Sequence, residues 1–229
     1  MSVSLTTAAK NGHAASAAPG LMPWGGNEDS QSLELSGVVM HAAADRQLYS
    51  EGDEAHYFYK VVSGVVRTCR FLNDGRRQID AFHMPGEVFG FEAGADHRMT
   101  AEAVSDCTVI AYRRRGLETM LVQDDRLNRW FFSHAMSSMA AAREHSLLLG
   151  RGSAAQKIAA FLLEIAERAH SEATVELPMS RQDIADYLGL MIETVSRTLS
   201  HLEKDGVIAL PSARRVVLKE RKALRAFNS

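Results

Sequence analysis

The chain has 229 residues, enough for two ordinary domains, and its 46% hydrophobic and 24% charged content is that of a folded globular protein. Two widely separated cysteines, Cys69 and Cys107, exclude a disulfide framework or a Cys-rich zinc site and fit a reducing, cytoplasmic setting, and no apolar run approaches the roughly 20 residues of a membrane span. A net charge of −2 excludes any argument from overall basicity, yet residues 197–225 hold eight Lys and Arg against three Asp and Glu, a local positive stretch able to attract phosphates.

In chain order, residues 1–32 are rich in Ala, Ser and Gly without apolar periodicity and read as a disordered tail. Residues 33–115 read as an antiparallel β-roll. Short β-rich runs at 57–62, 65–71, 78–82 and 107–112 are punctuated by Gly52, Gly64, Gly75 and Gly86, and Asn73-Asp74-Gly75 reads as a hairpin turn. Residues 116–149 follow as one long helix with an apolar stripe through Leu127, Phe131, Ala135, Met139 and Ala142. Its length, together with the small residues Ala140, Ala141 and Ala142, predicts a dimer seam, although a helix packed on its own domain has the same pattern. Gly150 and Gly152 are expected to bracket a hinge, and residues 150–229 to form a second, mostly helical domain.

The run from Ser180 to Leu202 carries the functional signal. Ser180 is placed to cap a helix with Asp183 as its reciprocal partner; Ile184, Ala185 and Leu188 give that helix an inner face, and Gly189 supplies a tight turn. A second helix follows with Val195, Leu199 and Leu202 inward. Glu193, Ser196, Arg197 and Ser200 then share the opposite face. An Arg fork suits guanine O6 and N7 and a carboxylate suits cytosine N4, so Glu193, Ser196 and Arg197 are candidate base readers. The same face could equally be a solvated one with a Glu193–Arg197 pair. The continuation favours DNA: Val207–Leu210, a Pro211-Ser212-Ala213 turn and Arg215–Leu218 read as a β-hairpin wing. Arg181, Arg214 and Arg215 are placed to meet phosphates.

These residues resemble the CRP/FNR superfamily of bacterial regulators over about residues 40–225. Pro85-Gly86-Glu87-Val88-Phe89-Gly90 is similar to its roll turn, Ser180-Arg181-Gln182-Asp183-Ile184-Ala185 to the start of its helix-turn-helix, Glu193-Thr194-Val195-Ser196-Arg197 to its FNR/FixK-type recognition helix, and Glu203–Ile208 to its wing entry. The resemblance implies an α+β fold: a cyclic-nucleotide-binding-like jelly roll, a dimerisation helix and a winged helix-turn-helix. It implies a homodimer that binds palindromic double-stranded DNA of the TTGA…TCAA type and activates low-oxygen or nitrogen-fixation-related genes with RNA polymerase. It also makes Ser180, Gln182 and Thr194 phosphate contacts. Met191 departs from the family's usual Ser or Thr at the second helix's cap.

The roll lacks the family's sensing chemistry. Glu92 could hold a ribose, but His97-Arg98-Met99-Thr100 stands where an adjacent Arg-Ser or Arg-Thr pair would hold a cyclic phosphate, and the tail has no cysteines for an iron–sulfur cluster. No cofactor or metal is therefore expected. The alternative is a ligand-gated regulator with another small molecule, or haem on residues such as Cys69, His83, His97 or Cys107. A cupin-type metal enzyme needs a His-x-His set; His83 and Glu87 stand without it, and no phosphate-loop, nucleophile-elbow or dinucleotide motif appears, so the chain is not expected to be an enzyme.

Overall fold

The computed structural model describes residues 5–6, 37–171 and 173–227 and divides into two compact units. The expected tail at 1–32 lies outside the described residues, apart from strand β1 (Leu5–Thr6), which pairs antiparallel with β2 (Val38–Ala42). Among the described residues no helix is long and apolar enough to cross a membrane.

The first unit comprises residues up to Arg70 and Asp80–Trp130. Its remaining strands are β3 (Gln47–Tyr49), β4 (Tyr57–Ser63), β5 (Val66–Phe71), the Asp80–His83 part of β6 (Arg77–His83), β7 (Val88–Phe89), β8 (Thr100–Ala103) and β9 (Cys107–Arg113); the end of β5 and the start of β6 belong to the second unit. They form a five-stranded sheet ordered β1-β2-β9-β4-β7 and a four-stranded sheet ordered β3-β8-β5-β6. Period-two alternation sends one set of side chains inward. Met40 faces Val109 on β9, Ala111 faces Tyr59 on β4, and Val66 faces Ala103 on β8, and all of these are buried together. The expected hairpin turn is present: Gly75 sits at φ 82°, where a side chain would be strained, and its N–H donates to the Leu72 carbonyl at 2.9 Å.

Aromatic rings fill the roll interior. Tyr49 stacks on His97 with centroids 3.6 Å apart, on Tyr59 at 5.4 Å and on Phe89 at 6.3 Å, while His83 stacks on Phe89 at 4.9 Å. Burial pushes the Tyr49 phenol well above its ordinary pKa and the Tyr59 phenol up to about 12. Burial also holds the His97 imidazole below its usual value, against the pull of Glu92, whose carboxylate lies 3.5 Å from Nδ1.

The long helix differs from expectation at both ends. It is α1 (Leu117–Gln123) followed by α2 (Asp125–Arg151), broken at Asp124. The Asp124 carboxylate accepts from the N–H groups of Arg126 and Leu127 at 2.8 and 3.1 Å, which starts a new helix where one was ending. Gly150 is inside α2 and marks no hinge; only Gly152 lies beyond the helix end. Leu127, expected at the seam, is buried within the protomer, and Phe131 is half-buried. Ala135, Met139 and Ala142 are exposed, as expected of an uncovered stripe, and Phe132 (67%), Met136 (46%) and Leu147 (63%) join them.

The second unit comprises Phe71–Ile79 and Phe131–Ser229. After α2 come α3 (Ala154–Arg168), β10 (Thr174–Glu176), α4 (Arg181–Leu188), α5 (Ile192–Lys204), β11 (Ile208–Ser212), β12 (Arg215–Leu218) and α6 (Arg221–Ala226). Apolar faces meet in one core of Ile158, Phe161, Leu162 and Ile165 from α3, Ile184 and Leu188 from α4, and Val195, Leu199 and Leu202 from α5. The wing is a three-stranded sheet ordered β10-β12-β11. β11 runs through Pro211 and Ser212, and the tight turn is at 213–214, because proline at the irregularity between Ala209 and Ser212 needs no ladder donor.

Candidate nucleic-acid interface

Helix α4 begins as the sequence predicts. The Ser180 hydroxyl accepts from Asp183 N–H at 3.1 Å, and the Asp183 carboxylate accepts in return from Ser180 N–H at 2.9 Å. The helix closes at Gly189, whose φ of 61° is the left-handed value that ends a helix. Its last carbonyl is satisfied from outside: buried Lys157 of α3 donates Nζ to the Leu188 carbonyl at 3.1 Å, a cation on the negative end of the helix dipole. Tyr187 stacks on His145 of α2 at 4.0 Å, and its hydroxyl donates to Glu164 at 3.3 Å.

These anchors set where α5 starts. Val195, Leu199 and Leu202 are buried, while Glu193, Ser196, Arg197 and Ser200 are exposed, so the two faces fall where helical spacing puts them. Ile192, Glu193, Ser196 and Arg197 line one shallow, open depression on the surface. Arg197 Nε donates to the main-chain carbonyl of Glu193 at 3.4 Å, a long contact along its own helix that leaves the guanidinium at the surface. Thr194 is half-buried behind them.

The residues expected to grip phosphate separate into kinds. Ser180 and Gln182 are exposed at the first turn of α4 and each is held by a carboxylate: Ser180 Oγ donates to Asp183 Oδ2 at 2.7 Å, and Gln182 Nε2 donates to Asp186 Oδ1 at 2.7 Å. Arg181 is half-buried, and burial lowers its guanidinium pKa. Arg214 stands exposed at the wing turn, whereas Arg215 is engaged across the sheet by Glu176, Nε to Oε1 at 2.5 Å. Sequence spacing gave no sign of Arg77 and Lys157, which reach α4 from the 71–79 segment and from α3.

Met191 occupies the cap of α5 in extended geometry, φ −83° and ψ 145°, with no side-chain hydrogen bond, and is 71% exposed. The backbone is thus already shaped for a capping hydroxyl. Met191→Ser is expected to stabilise the protein by about 0.5–2 kcal/mol, read as a higher urea midpoint at unchanged slope. An unchanged or lower midpoint would show that the apolar side chain contributes more than the cap.

A Crp-like helix-turn-helix domain matches residues 156–227, and a cyclic nucleotide-binding domain matches residues 39–124. The nitrogen fixation regulation protein FixK of Azorhizobium caulinodans is 46% identical over 205 residues, 87% of this chain and 83% of that protein. FixK of Rhizobium meliloti is 44% identical over 182 residues, 80% of this chain and 83% of that protein. The solved structure of FixK2 from Bradyrhizobium japonicum superposes with a TM-score of 0.80 at 42% identity, covering 84% of this chain and 98% of that one. Their agreement in both units, with the exposed α5 face and its wing, shows that this chain belongs to the CRP/FNR family of transcription regulators, in its FixK branch.

Proposed function

We propose that the protein is a homodimeric, sequence-specific activator that reads TTGA…TCAA-type palindromes in the cytoplasm, recruits RNA polymerase, and serves nitrogen-fixation or low-oxygen genes. The carrying observation is the exposed row Glu193, Ser196 and Arg197 on α5, lining one open depression beside a basic wing, in a chain 46% identical to a nitrogen fixation regulator. Base edges are read by the first turns of such a helix, and two-fold symmetry of the protein matches a palindrome. Ser180, Gln182 and Arg214 supply position, and Thr194 backs the reading face.

A second element of this reading is that no cyclic nucleotide or iron–sulfur cluster switches it. Glu92, the candidate ribose partner, lies against buried His97 and also accepts from Arg98 N–H at 3.2 Å. The rings of Tyr49, Tyr59, Phe89 and His97 pack against one another inside the roll, which supports this reading. His83 is hydrogen-bonded to Thr68, and Cys69 and Cys107 are buried. The test is a gel shift in air with purified protein and no cAMP, on a TTGA…TCAA duplex and on a scrambled one. A shift confined to the palindrome is expected; an absolute need for a small molecule or for anaerobic handling would overturn effector-free binding.

A further inference from the structure

The segment Phe71–Ile79 is grouped with the second unit although it is more than a hundred positions away from α4 in the chain. Within that unit, Arg77 reaches α4. The guanidinium spans two carboxylates on α4: Nη2 donates to Asp183 Oδ1 at 2.5 Å and Nε donates to Asp186 Oδ2 at 2.9 Å. All three side chains are largely withdrawn from solvent, with 17%, 6% and 13% of their surface exposed. Gln78 adds a longer contact, donating Nε2 to the Tyr187 carbonyl at 3.4 Å.

The second oxygen of each carboxylate goes to a side chain on the proposed DNA side. Asp183 Oδ2 accepts from the Ser180 hydroxyl, and Asp186 Oδ1 accepts from the Gln182 amide. Each acid therefore bridges Arg77 to one of the two residues placed against phosphate. Two carboxylates on a short helix that approaches a polyanion, Asp183 in its first turn and Asp186 one turn later, are a liability, since each repels phosphate and the low-dielectric setting weakens screening. A bidentate guanidinium both neutralises the pair and fixes the direction of their remaining lone pairs.

From this arrangement we infer that Arg77 is a positioning residue for DNA binding: without touching DNA, it cancels the Asp183 and Asp186 charges and thereby orients Ser180 and Gln182 toward the phosphate backbone. The inference rests on the proposed DNA-binding reading. It assigns no sequence preference to Arg77, because phosphate contacts position a protein without informing on sequence.

The test uses the full chain in four forms: parent, Arg77→Gln, Asp186→Asn, and the double variant. Binding to the palindrome and to random DNA is measured at one salt concentration, alongside helicity and unfolding midpoint. Arg77→Gln is expected to weaken both DNAs alike, by about tenfold. Asp186→Asn keeps an acceptor for Gln182 but removes the charge, so the double variant is expected to regain most of that loss. The two changes would then fail to multiply, as they must for residues in one network. Should Arg77→Gln fold poorly, Arg77→Lys keeps the charge without the fork and is expected to lose about threefold. Parent-level binding by Arg77→Gln overturns the inference, and so does a double variant no tighter than Arg77→Gln, which would make Arg77 a direct phosphate clamp. If the parent itself does not bind, the DNA reading falls first, a result distinct from either.

Discussion

Replacing Arg197 with alanine is expected to abolish the preference for the palindrome while leaving weak binding to random DNA nearly intact. Arg197 is exposed one helical turn after Glu193, on the face that lines the α5 depression. A guanidinium there can engage guanine O6 and N7 through two parallel hydrogen bonds. Loss of such a contact costs about 1–3 kcal/mol per half-site, and a symmetric dimer makes it twice. Random DNA is held by charge and does not use that contact. Isotherms on both duplexes at several salt concentrations measure the gap directly. Equal loss on the two DNAs would identify Arg197 as a phosphate contact and move the reading face elsewhere. The pattern is also opposite to that expected of Arg77→Gln, which weakens both, so the two variants together separate reading from positioning.

The second large effect is expected on assembly. Phe132 is 67% exposed on α2, with Met136 and Met139 at spacings of four and three residues further along. That spacing makes a coiled-coil seam when two such helices meet. Burying a phenylalanine is worth about 1.5–3 kcal/mol, and two-fold symmetry counts it twice. Phe132→Asp also places two like charges at the seam. Together these should raise the dimer dissociation constant by at least about a thousandfold. Because Phe132 is exposed in the protomer, the substitution should leave the protomer's unfolding midpoint close to that of the parent, so sedimentation equilibrium reads association cleanly. A variant that remains a tight dimer would place the seam on another surface.

How far each feature could be read from the sequence depended on how local its physics is. The faces of α4 and α5, the Ser180–Asp183 capping box and the Gly75 turn rest on spacings of a few residues, and they lie where those spacings put them. The break at Asp124 was legible too, as an acidic residue followed by a first helical turn, but the apolar stripe continuing through it masked the signal. The stripe also mixed residues the protomer covers with residues it leaves exposed. Phe131 and Phe132 project about 100° apart on a helix, so periodicity alone could not tell which was covered by the protomer itself. Leu127, expected at the seam, is buried within the protomer. Strand β10 spans only Thr174–Glu176, too short for alternation to register. The Arg77 link to α4 had no sequence signature at all, since it joins positions 106 and 109 residues apart.

The ring-packed roll has a bearing on timing. A regulator with a vacant chamber can be turned on or off by a molecule that diffuses in and out, without any change in how many copies the cell holds. Here Tyr49, Tyr59, Phe89 and His97 stack on one another inside the roll, and if binding is effector-free as proposed, copy number is a quantity left to vary. Pairing of protomers makes that dependence steep: while most chains are single, the amount of paired protein grows as the square of the total. A modest rise in synthesis then produces a disproportionate rise in promoter occupancy, and the response lasts as long as the chains do. On that proposed reading, packing the interior would trade a fast reversible switch for a threshold with memory.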